Sequence, residues 1–148
     1  MIVIESVTRL PAILKPSDLL LLGRELSRVL KSRSNREVTL AFVTEKKMQT
    51  LNRQYRHIDK PTDVLSFEPE RSTVKAGKEG KAFLGDIIVC VPYAKREATR
   101  RAMSLREELL RLIAHGVLHL SGFDHATDKQ EEKMFGLQER VVDAIMTL

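Results

Sequence analysis

Apolar residues along the chain change their spacing several times, and each change marks an element. Ile2-Val3-Ile4 is a short β-branched run that predicts an opening strand. Pro16-Ser17-Asp18 then predicts a helix start, capped by Ser17 or Asp18. Leu19, Leu22, Leu26 and Val29 or Leu30 recur at helical spacing behind it and form one buried stripe. The polar run Lys31 to Arg36 is a loop, and Val38 to Val43 returns to strand. Thr44 caps a second helix through about Tyr55, with Met48, Leu51 and Tyr55 on its inner face. Pro61 biases Lys60 away from helix, so the chain loops from His57 to Asp63 before a strand at Val64-Leu65-Ser66-Phe67. From Pro69 to Lys81 all periodicity is lost in Lys, Glu and Gly, which predicts a mobile surface connection. Phe83 to Val89 is the next strand, with Gly85 as a bulge or a point of close approach.

Three helices close the chain. Pro92 opens the first, where its missing N–H costs nothing. Ser104-Leu105-Arg106-Glu107 is a capping box that opens the second. Leu109, Leu112, Ile113, Gly116 and Leu120 cover most of that helix's circumference, so it is predicted to be central. Thr127-Asp128-Lys129-Gln130 is another capping box. The helix it opens buries Met134, Leu137, Val141 and Ile145, and is expected to pack over the core and to do no chemistry. The order is strand, helix, strand, helix, two strands, three helices. It predicts one α+β domain over residues 1–148, a small mixed β-sheet packed against the central helix.

Charge and composition narrow this picture only a little. With 148 residues and 43% hydrophobic residues the chain can bury a proper core. Lys and Arg number 25 against 20 Asp and Glu, a net charge of +5 that permits an anionic partner without requiring one. Cys90 stands alone, so no internal disulfide forms. No signal-peptide pattern opens the chain and no apolar run approaches the ~20 residues of a membrane span, which predicts a soluble, cytoplasmic protein.

The chemistry concentrates in His115-Gly116-Val117-Leu118-His119-Leu120-Ser121-Gly122-Phe123-Asp124-His125, which holds three of the four histidines. Four residues apart on a helix, His115 and His119 share a face with Cβ atoms ~5–6 Å apart, within reach of one metal ion. Gly122 suits a left-handed helix end, and a sharp turn there returns His125 towards the other two. Three imidazoles with an open fourth position is the pattern of a catalytic metal. Zinc comes first because imidazole suits it, with nickel, copper and iron as alternatives. In zinc peptidases the residue after the first histidine is the glutamate base; here it is Gly116.

Four other groups bear on this site. Asp86 interrupts an apolar strand and is either paired, a metal-site histidine being the attractive partner, or turned to solvent. Asp63 crowds the entrance of the third strand with Arg56, Asp59, Thr62 and Ser66. Glu108 and Arg111 lie on the histidine side of the helix, where either could reach the edge of the site, though exposure is the first expectation. Lys95, Arg96, Arg100 and Arg101 make the first of the closing helices the most basic stretch, either a solvated face or an RNA contact.

Tyr55-Arg56, Asp59-Lys60-Pro61-Thr62-Asp63-Val64-Leu65-Ser66-Phe67, Leu84-Gly85-Asp86-Ile87 and the histidine block together resemble the YbeY family of bacterial endoribonucleases, single-domain rRNA maturation factors. The likeness runs from the second strand nearly to the C-terminus. It implies one zinc ion on His115, His119 and His125, and a metalloprotease-like (zincin-like) α+β fold. It also implies a role in maturing the 3′ end of small-subunit (16S) rRNA, with the ribosomal small subunit or assembly factors as partners, and an arginine at Arg56 important for activity. On this reading Arg56 and His115 are catalytic, Arg53, Lys95, Arg96 and Arg100 touch RNA, and Asp63, Asp86 and Asp124 support the metal ligands. Phosphoryl transfer rests on positioning and charge stabilisation, so a guanidinium matters more than a strong base and Gly116 is less damaging. Two rivals remain: a zinc peptidase or amidase with Asp124 or Asp86 as base, and a non-catalytic RNA-binding assembly factor whose zinc orders the structure.

Overall fold

A computed structural model describes residues 1–71 and 82–148, so most of the loop expected between Pro69 and Lys81 lies outside the described residues; Pro69–Arg71 is a single 3₁₀ turn. The elements follow the expected order: β1 (Ile2–Ser6), α1 (Pro16–Val29), β2 (Arg36–Val43), α2 (Glu45–Arg56), β3 (Val64–Phe67), β4 (Ala82–Cys90), α3 (Val91–Arg100), α4 (Leu105–Leu120) and α5 (Asp128–Met146). The sheet runs β1-β2-β4-β3. β1 pairs parallel with β2 and β2 with β4, while β3 lies antiparallel to β4 at the edge. The fold is therefore mixed α+β with four strands and five helices among the described residues.

Two cores cover the two faces of the sheet. Leu22, Leu26, Leu40, Ile87, Leu109, Ile113, Val117, Met134 and Val141 are fully or almost fully buried between one face and helices α1, α4 and α5. On the other face Met48 and Leu51 of α2 pack on Leu65, Phe67, Ile88 and Cys90, with Tyr55 and Tyr93 at the margin. The alternation along β3 sorts its residues accordingly: Leu65 and Phe67 face α2, leaving Val64 and Ser66 for the face on which α4 lies.

Local signals place most ends where the pattern puts them. Thr44 Oγ1 accepts the Lys47 N–H at 3.2 Å, and Ser104 Oγ accepts the Glu107 N–H at 3.1 Å. Thr127 and Gln130 form the reciprocal capping box at the start of α5. Helix α1 departs from expectation: Lys15 is its N-cap, Pro16 opens the first turn, and Asp18 sits at the third position, accepting the Lys15 N–H at 2.9 Å. Asp18 also takes Arg106 of α4 at 2.7 Å. Burial works against its charge, but Arg106 and the Lys15 N–H outweigh that and hold its carboxyl below the ordinary value. In β4 the register skips Leu84 between Glu37 and Val38, which is the bulge expected beside Gly85.

Candidate metal centre

Helix α4 touches β3, β4, α1, α3 and α5, and that central position governs what each of its faces can carry. The face towards the sheet comes so close that a Cβ on Gly116 would lie 2.9 Å from the Ile87 side chain. A side chain there would force Ile87 or the helix to shift, so the close packing of α4 on the sheet favours glycine where peptidases carry their glutamate. His115 and His119 follow on the next face; His115 is half-buried and His119 exposed. The helix ends as the pattern predicts. Gly122 adopts φ 103°, with its N–H on the His119 carbonyl at 3.1 Å and the Phe123 N–H on the Leu118 carbonyl at 3.1 Å. That paired closure of the last turn returns the chain, and the His125 ring comes to rest 5.7 Å from the His115 ring, centroid to centroid.

The protonation of His115 follows from a relay of hydrogen bonds. Arg111 grips Glu139 with Nη2 and Nε at 2.6 and 2.8 Å. The Gln138 amide nitrogen donates to Glu139 Oε2 at 3.2 Å, which turns the amide oxygen the other way, 2.9 Å from His115 Nδ1. An amide oxygen only accepts, so Nδ1 carries the proton and Nε2 keeps its lone pair. Burial, and then the neighbouring His125 and His119, push His115 below the usual histidine range, against the opposing pull of Gln138 and Asp63. A neutral imidazole with a fixed tautomer is the form that binds a metal. The donor set therefore fits a cation in its chemistry. Among the described residues, however, no group of three or more His, Cys, Asp or Glu side chains is placed so that it could hold a metal ion.

Arg56 lies beside the same histidine row. It shares a pocket of about 210 Å³ with His119, Ser66 and Arg71, donates from Nη2 to the Ser66 carbonyl at 3.0 Å, and stands 6.0 Å from the Phe67 ring centroid. His115 opens instead into a larger cavity of about 470 Å³, walled by Asp63, Arg101, Glu108, Arg111, Phe135 and Gln138 among others. The two pockets meet β3 at its opposite ends, Asp63-Val64 and Ser66-Phe67.

The remaining expected residues are placed as follows. Asp63 lines the His115 cavity, accepting the Val64 N–H at 2.7 Å. Asp86 is fully buried and accepts the Thr39 hydroxyl, which removes the solvent-facing alternative; the partner that holds His115 is Gln138. Asp124 is exposed and accepts the His125 N–H at 2.7 Å. Arg53 stands 3.6 Å from Asp59 on the exposed side of α2. On α3, Arg96 makes a two-pronged pair with Glu45 and Arg100 pairs with Glu97, so internal carboxylates already engage both guanidinium groups. Lys95 lies with Arg96 in a shallow pocket apart from the histidines.

The exposure expected of Glu108 and Arg111 is overturned. Glu108 is 2% exposed and the Arg111 side chain 14%, because α5 and the end of α3 close over that face of α4. Burial raises the Glu108 carboxyl above its ordinary value; Arg101 and Arg111 pull the other way, and Asp63 and Glu97 add to the rise. Helix α5 packs over the core as expected and also lines the cavity beside His115 with Phe135, Gln138 and Glu139. Sequence held one signal for this: Phe135, Gln138 and Glu139 recur at helical spacing on α5 beside the buried stripe.

Known proteins resemble the chain over most of its length. The family model described as Endoribonuclease YbeY matches residues 21–146. The Endoribonuclease YbeY of Sulfurihydrogenibium sp. is 42% identical over 113 residues, 76% of this chain and 72% of the relative. That of Pelotomaculum thermopropionicum is 40% identical over 125 residues, 82% of each. A solution structure from Thermotoga maritima superposes with a TM-score of 0.60 at 30% identity, covering 97% of this chain and 87% of that one. A family model over most of the chain and relatives 42% and 40% identical to it show that the chain belongs to the Endoribonuclease YbeY family, a family of hydrolytic enzymes.

Proposed function

We propose that this protein is a zinc-dependent endoribonuclease that cleaves single-stranded RNA in the cytoplasm. Its role is in rRNA processing, at the 3′ end of 16S rRNA, and in assembly of the small subunit. One observation carries the reading: the Arg111–Glu139–Gln138–His115 relay presents a neutral imidazole, with Nε2 open, next to His125 and one helical turn from His119. His115, His119 and His125 would hold one zinc ion, in a zincin-like domain. When bound, zinc supplies Lewis acidity to a phosphate oxygen and lowers the pKa of water. Arg56, in the pocket it shares with His119, holds the phosphate by two hydrogen bonds and stabilises the charge that grows on it in the transition state. Gln138 keeps the His115 tautomer fixed through turnover, and Asp63 favours positive charge at the same cavity.

Purified protein incubated with structured RNA and with peptides, with and without chelator, tests this against its rivals. RNA cleavage that chelator and His119→Ala both abolish is expected. Cleavage of peptides would favour an amidase, and RNA binding without turnover an assembly factor. Arg56→Ala is expected to slow cleavage about a hundredfold or more while leaving bound metal unchanged, because it removes a contact to the phosphate and none to the metal ligands. Parallel loss of metal and activity would contradict that division.

A further inference from the structure

The cavity beside His115 is larger than a cation and its water require. Its volume, about 470 Å³, is that of a small-ligand site. Phe135 forms its aromatic wall. This large apolar side chain remains 37% exposed, with its ring 6.0 Å from His115 and 6.5 Å from His125, tilted only 17° from the latter. Two cations, Arg101 and Arg111, face three carboxylates, Asp63, Glu108 and Glu139, across the same space. With one more carboxylate than cation, this wall offers a phosphate no net attraction, whereas a neutral group with both donors and acceptors on its edge can pair with it. Arg101 stands 3.8 Å from both Glu97 and Glu108, beyond hydrogen-bond length, so its donors can turn to a ligand. A flat, uncharged ring with a polar edge answers all of these features.

We propose that this cavity seats one unpaired nucleobase of the RNA, stacked on Phe135 with its polar edge towards Glu108 and Arg101, while the phosphate chain runs past the histidines towards Arg56. The inference rests on the RNA reading above and adds a base-binding subsite to it. A paired base cannot enter such a space, so the subsite selects single-stranded substrate. Stacking on an aromatic face accepts any base, so selection by the ring is for being unpaired. Any preference among bases comes from the polar wall.

The test combines Phe135→Leu and Phe135→Trp with short single-stranded RNAs carrying an abasic residue or 2-aminopurine at successive positions around the cleavage site. Phe135→Leu is expected to raise KM about tenfold with little change in kcat, and Phe135→Trp to restore it, since base–aromatic stacking is lost and regained. One abasic position should raise KM similarly in the parent protein, and there the leucine variant should add nothing. Quenching of 2-aminopurine at that position alone, weaker in Phe135→Leu, reads the seat without turnover. Bound metal and melting temperature of both variants are expected to match the parent. A leucine variant with KM within twofold of the parent overturns the proposal. So does a penalty equal on intact and abasic RNA, or loss of metal that accounts for the whole effect. Position-specific quenching without cleavage would leave the base seat standing and refute the nuclease reading; cleavage without such quenching would do the reverse.

Discussion

At the scale of single residues, the decisive feature is the amide of Gln138, which turns a pair of histidines on a helix into a defined donor. Its oxygen holds His115 Nδ1 at 2.9 Å, and its nitrogen is held in turn by Glu139. Gln138→Leu keeps much of the side chain's volume but removes the acceptor, so His115 is free to change tautomer and ring angle. Metal affinity, measured by competition with a chromophoric chelator, is expected to fall about ten- to a hundredfold, the range for partners that orient a metal ligand. Unchanged affinity would show that the relay does not prepare the site. Gly116 acts at the same scale: α4 packs so closely on Ile87 that a side chain there would force a shift, and the position lacks the peptidase glutamate.

Among elements, the junction of α4 with α5 matters most, because α5 brings three of the cavity's side chains to a helix that cannot build the site alone. Arg111 and Glu139 clamp the two helices together. Arg111 lowers the Glu139 carboxyl below its ordinary value in the fold, with burial opposing. A carboxyl depressed on folding contributes stability above its unfolded pKa and loses it as the pH falls through the folded value. Glu139→Gln is therefore expected to melt below the parent near neutral pH, the gap closing as the pH falls below the ordinary carboxylate range and the parent's carboxylate is protonated. Thermal unfolding followed by circular dichroism at several pH values checks this. A gap that stays constant across the range would mean that the carboxylate's charge plays no part.

For the molecule as a whole, the question is whether the fold depends on the metal. Two cores enclose the sheet, and α4 is held by buried leucine, isoleucine and valine side chains from α1, α5 and the strands. That much apolar burial supports the domain without a bound cation. Chelator-treated protein is expected to keep its far-ultraviolet spectrum and a single cooperative melting transition, lowered only by the binding energy removed. Collapse to an unfolded spectrum would instead identify the metal as structural and favour the assembly-factor reading. No helix among the described residues is long and apolar enough to cross a membrane.

What sequence alone determined is whatever depends on neighbours in the chain. Thr44, Ser104 and Thr127 cap helices by bonds to N–H groups three residues on. The spacing of His115 and His119 sets their common face, and Gly122 supplies the left-handed turn towards His125. The Leu19-Leu22-Leu26 stripe and the β3 strand are periodic signals of the same local kind. Tertiary structure decided what no period contains: the strand order β1-β2-β4-β3, the burial of Glu108 and Arg111, and the choice of Gln138 as the partner of His115. It also set Arg56 beside His119, across the end of β3. Helical spacing fixes a side chain's direction from its own axis, but only the packing of a second helix decides whether that direction leads to water, to a core or to a ligand.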